Sequence, residues 1–287
     1  MEKIPIRHIQ KTSKEPDLFG NFSVRNIQEL LNGKDLVQDH HRHDFYSILL
    51  LKKGTGRHEI DFVPFEVCDH SVFLMRPGQV HQLTLKAETK GYLLQFETDF
   101  FYSQNTLSQE FLRKVSHKNF CQLDLNKFKK LDLIMAFILE EYNNKQEGYQ
   151  EAIKSSLNIF FIELVRYRQN KSISSNDTSS YTQEQLEEFL ELLETNVTKY
   201  KQVSHYADLL HLSTYQLNTI TKTTLNKTTS ELINEFIILE AKRQLLATSN
   251  QVNQIAYYLG YEDVSYFIRF FKKHTGSSPE VFRHNSK

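Results

Sequence analysis

Between His40 and Phe96 short apolar runs alternate with turn signals: Phe45 to Leu51, a break at Gly54 to Gly56, Phe62 to Val67, Ser71 to Met75, the Pro77-Gly78 pair, and Tyr92 to Phe96. Runs of this length bounded by glycine and proline predict strands of an antiparallel barrel or sandwich. After Asp124 the pattern turns helical. Leu125, Phe128, Leu131, Leu133, Ile134, Phe137 and Ile138 fall on one side of a helix that should run to about Tyr142. A second helix, from about Tyr149 to Arg168, carries Ile153, Leu157, Phe160, Phe161, Leu164 and Val165 opposite Lys154, Asn158, Glu163 and Arg166. Apolar stripes this wide can cover a small barrel and still face a second subunit, so a homodimer is expected.

The stretch 171–180, KSISSNDTSS, is polar and short in side chain. Such a segment buries little apolar area and is the natural linker. The expected division is therefore an effector-binding and dimerisation domain at 1–170, a linker at 171–180 and an all-α domain at 181–287. Thr182 with Gln185 suggests a capping box for a helix holding Leu186, Phe189, Leu190 and Leu193.

Two compact helix-turn-helix units follow. In the first, Tyr206, Ala207, Leu209 and Leu210 supply a short helix, Leu212-Ser213 a tight turn, and Ser213 with Gln216 the cap of a second helix. There Leu217 and Ile220 point inward and Tyr215, Asn218, Thr219 and Lys222 are left outside. Thr228 with Glu231 starts a long spacer helix over Thr229 to Ala247. In the second unit, Ile255, Ala256 and Leu259 form a short helix that stops at Gly260, whose missing side chain permits a left-handed cap. Asp263 begins the next helix, with Phe267, Phe270 and Phe271 inward and Ser265, Ile268, Arg269, Lys272 and Lys273 outward. Ser278-Pro279 opens a last short helix.

Charge adds one feature. The chain has 35 Lys and Arg against 35 Asp and Glu, so bulk charge does not select an acidic partner. From Ala241 onward, however, seven basic residues (Lys242, Arg243, Arg269, Lys272, Lys273, Arg283, Lys287) face three acidic ones (Glu262, Asp263, Glu280). The two cysteines, Cys68 and Cys121, make neither a disulfide framework nor a ligand cluster. No apolar run approaches the ~18 residues needed to cross a bilayer, and the first ten residues lack a hydrophobic core segment, so a cytoplasmic protein without a membrane partner is expected.

The segment from Ile255 to Arg283, IAYYLGYEDVSYFIRFFKKHTGSSPEVFR, resembles the signature of the AraC/XylS family of bacterial transcription regulators. The family pattern falls on Ile255-Ala256, Gly260-Tyr261, Ser265-Tyr266-Phe267, Phe271-Lys272, Gly276 and Pro279. Upstream, Ala207, Leu212-Ser213, Leu217, Glu240-Ala241-Lys242-Arg243 and Leu245-Leu246 extend the resemblance to about 186–283. Ile220 and Asn226 depart from it, standing where the family often has phenylalanine and glycine. Asparagine tolerates the left-handed conformation, so the second departure is mild. The resemblance implies a ligand-responsive, sequence-specific regulator of promoter DNA, with no catalytic residue and no cofactor. Tyr215, Asn218, Thr219, Ser265, Ile268 and Arg269 would read bases, and Lys222 and Lys272 would contact phosphates.

In the front domain, His41-Arg42-His43 and Pro77-Gly78-Gln79-Val80-His81 resemble parts of the two cupin motifs, so a cupin-like β-barrel is expected. The first motif is incomplete: Asp44 adjoins the histidine pair and Glu59 is distant. His41, His43, Tyr46, Arg57, His58 and His81 are the candidate ligand-binding residues. The expected effector is a carbohydrate or another small polar metabolite, held without a required metal. Two other readings stand beside this one: a non-DNA adaptor, because the first reading helix carries little positive charge, and a cupin-type metal-dependent enzyme.

Overall fold

The structure, a computed structural model, describes residues 6–7, 9, 21–102, 106–116, 118–172 and 180–285. They fall into two compact units, one up to residue 172 and one from residue 180.

The first unit is built from β1 (Ile6–Arg7), β2 (Phe22–Asn26), α1 (Ile27–Leu31), β3 (Leu36–His43), β4 (Tyr46–Lys53), β5 (Gly56–Ile60), β6 (Val63–Val67), β7 (Ser71–Met75), β8 (Val80–Leu85), β9 (Lys90–Phe96), α2 (Thr98–Tyr102), α3 (Thr106–Ser116), β10 (Phe120–Gln122), α4 (Leu125–Asn144) and α5 (Tyr149–Ser172). The strands form two five-stranded sheets, ordered β1-β3-β8-β5-β6 and β10-β7-β4-β9-β2. Pairing is antiparallel except between β1 and β3.

The expected cupin-like barrel is not what forms. A barrel is one sheet closed on itself and has no edges. Here each sheet is open, ending at β1 and β6 in one and at β10 and β2 in the other. The fold is therefore a mixed α/β arrangement of open sheets with helices. The apolar run in β4 shows the physical reason. Ile48 and Leu50 join one core with Val72, Leu74, Leu94, Phe128 of α4 and Phe160 of α5. Leu49 and Leu51 join a second core with Phe73, Met75 and the opposite sheet's Ile60, Leu83 and Leu85. A strand buried on both faces reads as a continuous apolar run, and this one lies between the sheet that holds β5 and β8 and the helices.

The second unit contains α6 (Ser180–Asn196), α7 (Val203–Leu209), α8 (Thr214–Leu225), α9 (Thr229–Ala247), α10 (Val252–Tyr258), α11 (Val264–Thr275) and α12 (Pro279–Asn285). Because α6 begins at Ser180, Thr182 lies inside the helix rather than at the expected cap. Of the expected linker 171–180, residues 173–179 lie outside the described residues. Ser213 with Gln216 and Thr228 with Glu231 form reciprocal capping boxes at α8 and α9. Asn226 ends α8 in the left-handed conformation (φ 54°). Two cores result. One gathers Phe189, Tyr206, Leu217 and Ile233. The other gathers Ala241, Ile255, Phe267 and Phe271. Half-buried Tyr261 and Phe270 pack against both.

Candidate DNA-reading helices and a buried histidine cluster

Each helix-turn-helix unit locks one helical face and leaves the other outside. In α8, Leu217 and Ile220 are buried, whereas Tyr215, Thr219 and Lys222 are exposed, Tyr215 to 78%. Thr219 Oγ1 donates back to the Tyr215 carbonyl at 2.9 Å, so its hydroxyl is partly engaged within the helix. Asn218 behaves differently from the sequence expectation of a free reader. It is half-buried, and its Oδ1 accepts the N–H of Thr229 at 3.2 Å, tying α8 to the start of α9. Buried Thr221 and Thr229 pair at 3.2 Å beside it.

In α11, Asp263 caps the helix through the Ser265 N–H at 2.7 Å. Ser265, Arg269, Lys272 and Lys273 are exposed. Arg269 lies 3.9 Å from the Asp263 carboxylate, a loose surface pair that a phosphate or base could outcompete. Ile268 is half-buried against the second core, so only part of it faces outward. Lys272, Lys273 and His274 sit in the last turn, where the helix dipole favours positive charge. Arg283, counted with the basic tail in the sequence, is buried instead. It donates to the carbonyls of Leu245 (2.9 Å) and Asn250 (2.7 Å), fixing α12 to the end of α9.

The two units are joined at a point the sequence did not signal. Lys201 Nζ, before α7, donates to the Gly260 carbonyl at 3.0 Å and stands 4.8 Å above the Tyr261 ring. Burial pushes the Lys201 ammonium down and the Tyr261 hydroxyl up from their ordinary values. The partners are 59 residues apart, so no local spacing reveals them.

In the first unit, four of the six candidate ligand residues come together. His41 and His43 share one face of β3, and His81 stands opposite His41 across the β3–β8 ladder. His58 approaches from β5. All four are buried. His41 Nδ1 donates to the Asp39 carbonyl at 2.7 Å, His58 Nε2 meets His81 Nδ1 at 2.9 Å, and His81 Nε2 meets His43 Nε2 at 2.7 Å. Phe45 stacks on His43 and Phe73 lies against His58. Burial, with His41 adding to it, pushes His58 down to about 3. Arg57 and Tyr46 do not join. Arg57 alternates outward on β5 and is exposed, and Tyr46 stacks on Phe96 in the helix-side core.

Residues 34–151 match the family model described as the AraC-like ligand binding domain, and residues 206–285 match that of a helix-turn-helix domain. The chain is thus similar to AraC-type regulators over a region like their ligand binding domain and over a helix-turn-helix region. Among curated relatives, the HTH-type transcriptional activator RhaS of Pectobacterium carotovorum subsp. carotovorum is 24% identical over 256 residues, covering 86% of this chain and 88% of the relative. The bifunctional transcriptional activator/DNA repair enzyme AdaA of Bacillus subtilis is 33% identical over 97 residues, 34% of this chain and 46% of that protein. Among solved structures, ToxT of Vibrio cholerae is 17% identical over 92% of this chain and 98% of its own, with a TM-score of 0.44. The similarity is thus to transcription regulators that pair an AraC-like ligand binding domain with a helix-turn-helix domain. Among the described residues no helix is long and apolar enough to cross a membrane.

Proposed function

We propose that this chain is an AraC-type regulator that binds double-stranded promoter DNA as a homodimer by placing α8 and α11 in successive major grooves, under control of a small polar effector such as a carbohydrate taken up by residues 1–170. The linker of this scheme is 171–180. One observation carries the DNA part. Tyr215, Thr219 and Lys222 on α8, and Ser265, Arg269 and Lys272 on α11, face outward while the opposite faces of both helices are held in cores that share Tyr261. The spacer α9 has 19 residues, about 28 Å at 1.5 Å per residue, which suits units reaching adjacent turns of a ~34 Å repeat. Asn218 and Ile268 complete the two reading surfaces, although both also serve packing. The effector would meet His41, His43, His58 and His81. Arg57 and Tyr46 would act outside that cluster. The second copy would dock on Leu133 and Phe137 of α4 and Ile159 of α5, all exposed apolar side chains.

The test is selection of bound sequences from random duplexes with the full chain, followed by salt titrations of Arg269→Ala and Lys272→Ala. Loss of an arginine contact to guanine should remove about 1–3 kcal/mol of discrimination. Loss of a lysine–phosphate contact should weaken cognate and mismatched duplexes alike and flatten the salt slope by about one. No enrichment of any sequence would favour a protein adaptor instead. Sedimentation at tens of micromolar reads the dimer, which Leu133→Glu should dissociate. A wild-type chain that sediments as a monomer would refute that interface.

A further inference from the structure

We propose that α8 reads thymine methyl groups through Tyr215, Thr219 and Thr223, so that the half-site under the first helix-turn-helix unit is a run of A·T pairs. This rests on the placing of α8 in the major groove and adds Thr223 to its reading row. The three residues stand at i, i+4 and i+8 on one exposed stripe of the helix. At 1.5 Å per residue the row is about 12 Å long, which covers about three base-pair steps of roughly 3.4 Å.

What that stripe can offer a base follows from the hydrogen bonds its polar groups already make. Thr219 donates its hydroxyl proton to the Tyr215 carbonyl at 2.9 Å, Thr223 to the Thr219 carbonyl at 2.8 Å and Thr224 to the Ile220 carbonyl at 2.8 Å. A hydroxyl carries one proton, so none of the three has a donor left for guanine O6 and N7. The two amides of the helix are committed as well. A backbone N–H only donates, so the atoms it meets are the amide oxygens. Gln216 Oε1 accepts from the Ser213 N–H at 2.8 Å and from the Ser213 hydroxyl at 2.9 Å, and Asn218 Oδ1 accepts from the Thr229 N–H at 3.2 Å. A bidentate adenine contact by asparagine or glutamine needs that oxygen as the acceptor for adenine N6. Gln216 has both lone pairs of its oxygen in use, and half-buried Asn218 is tied to α9.

Lys222 brings a flexible point charge that suits a phosphate. The remaining chemistry of the row is apolar: two threonine methyls and the ring of Tyr215, a residue exposed to 78%. The thymine C5-methyl is the one apolar group that base pairs present in the major groove. Helix α11 follows the opposite rule. Its Arg269 is exposed, with the guanidinium in a loose pair to Asp263 at 3.9 Å, and arginine is the side chain that matches guanine. The two units thus divide the duplex into a methyl-read segment and a guanine-read segment.

The experiment takes the full chain and a duplex obtained by selection from random sequence, and replaces each thymine in turn by deoxyuridine. This keeps every hydrogen-bonding group of the base and removes only the methyl. The expected loss is about 4-fold for each methyl that α8 covers, confined to the segment whose base preferences Arg269→Ala leaves unchanged. Thr219→Ser and Thr223→Ser keep the hydroxyl and its bond within the helix while deleting the protein's methyl, and both sites are exposed, so the fold is retained. Each variant should lose about 4-fold on the thymine duplex and become indifferent to uracil at one position, so that the two losses do not add. Arg269→Ala should retain the full response to uracil. A segment under α8 without thymine, uracil substitution without effect, or losses that simply add in the serine variants overturns the methyl contact while leaving sequence-specific binding in place. Enrichment of no sequence at all would sink both the methyl contact and the regulator reading beneath it.

Discussion

Replacing Gly260 by alanine should damage the helical unit far more than the same change at Gly276. Both glycines end a helix with positive φ, +72° and +82°. An alanine held in that conformation costs about 1–2 kcal/mol. At Gly276 nothing lies within 4 Å of an added Cβ, so the backbone term stands alone. At Gly260 the added Cβ would stand 2.7 Å from both the Thr198 carbonyl oxygen and Lys201 Nζ. The lysine end can swing away, but the carbonyl belongs to the backbone. Overpacking of this kind costs about 1–3 kcal/mol. Displacing Lys201 also removes its bond to the Gly260 carbonyl and its position over Tyr261, about 1 kcal/mol for a partly exposed contact. The expected losses are thus roughly 1–2 kcal/mol for Gly276→Ala and roughly 3–6 kcal/mol for Gly260→Ala. Urea unfolding of the full chain, followed by far-ultraviolet circular dichroism, measures both. Equal losses would show that the turn of the second unit does not bear on the segment before α7, and the coupling of the two units through Lys201 would fall with it.

Two further outcomes follow from individual contacts. Asn218→Ala removes the acceptor for the Thr229 N–H at the start of α9 and should cost about 1 kcal/mol, as loss of a helix cap does; a change confined to base preference, with stability intact, would make Asn218 a reader only. Glu163 of α5 is held by Lys130 of α4 at 2.8 Å and by Arg166 at 2.8 Å, and these partners keep its carboxyl below the ordinary range. Its stabilisation is present above the unfolded carboxylate value and is lost as pH falls through the folded one. As pH falls below the ordinary glutamate value of about 4.3, the wild type should therefore lose more thermal stability than Glu163→Gln, and parallel melting curves over that fall would count against the bridge.

Legibility in the sequence followed the kind of interaction. Capping chemistry is local, so Ser213-Gln216, Thr228-Glu231 and Asp263 could be placed from the chain alone, and β7 spans the same Ser71–Met75 run that periodicity marked. Strand β3, LVQDHHRH, buries histidines where a pattern reader looks for valine and isoleucine, and it gave no period-two signal. Strand β2 and helix α3 were likewise not anticipated. The barrel expectation failed because sheet closure depends on which strand edges meet, a long-range property that motif fragments around His41 and His81 do not encode. In the site, alternation along β5 separates His58 from Arg57, which adjacency in the chain alone places together. Lys201 and Gly260 meet only in three dimensions.

The central claim is that both reading helices engage DNA together, and half-site spacing tests it most directly. A selected duplex should contain two contacted segments about one helical turn apart, and inserting about 5 bp between them turns the second segment to the opposite face. Because α8 and α11 are joined through α9 and the Tyr261 contacts, the chain should lose at least about 100-fold in affinity on the inserted duplex, comparable to the loss of several base contacts. An inserted duplex bound as tightly as the parent, with the same protected length, would contradict simultaneous docking of the two units.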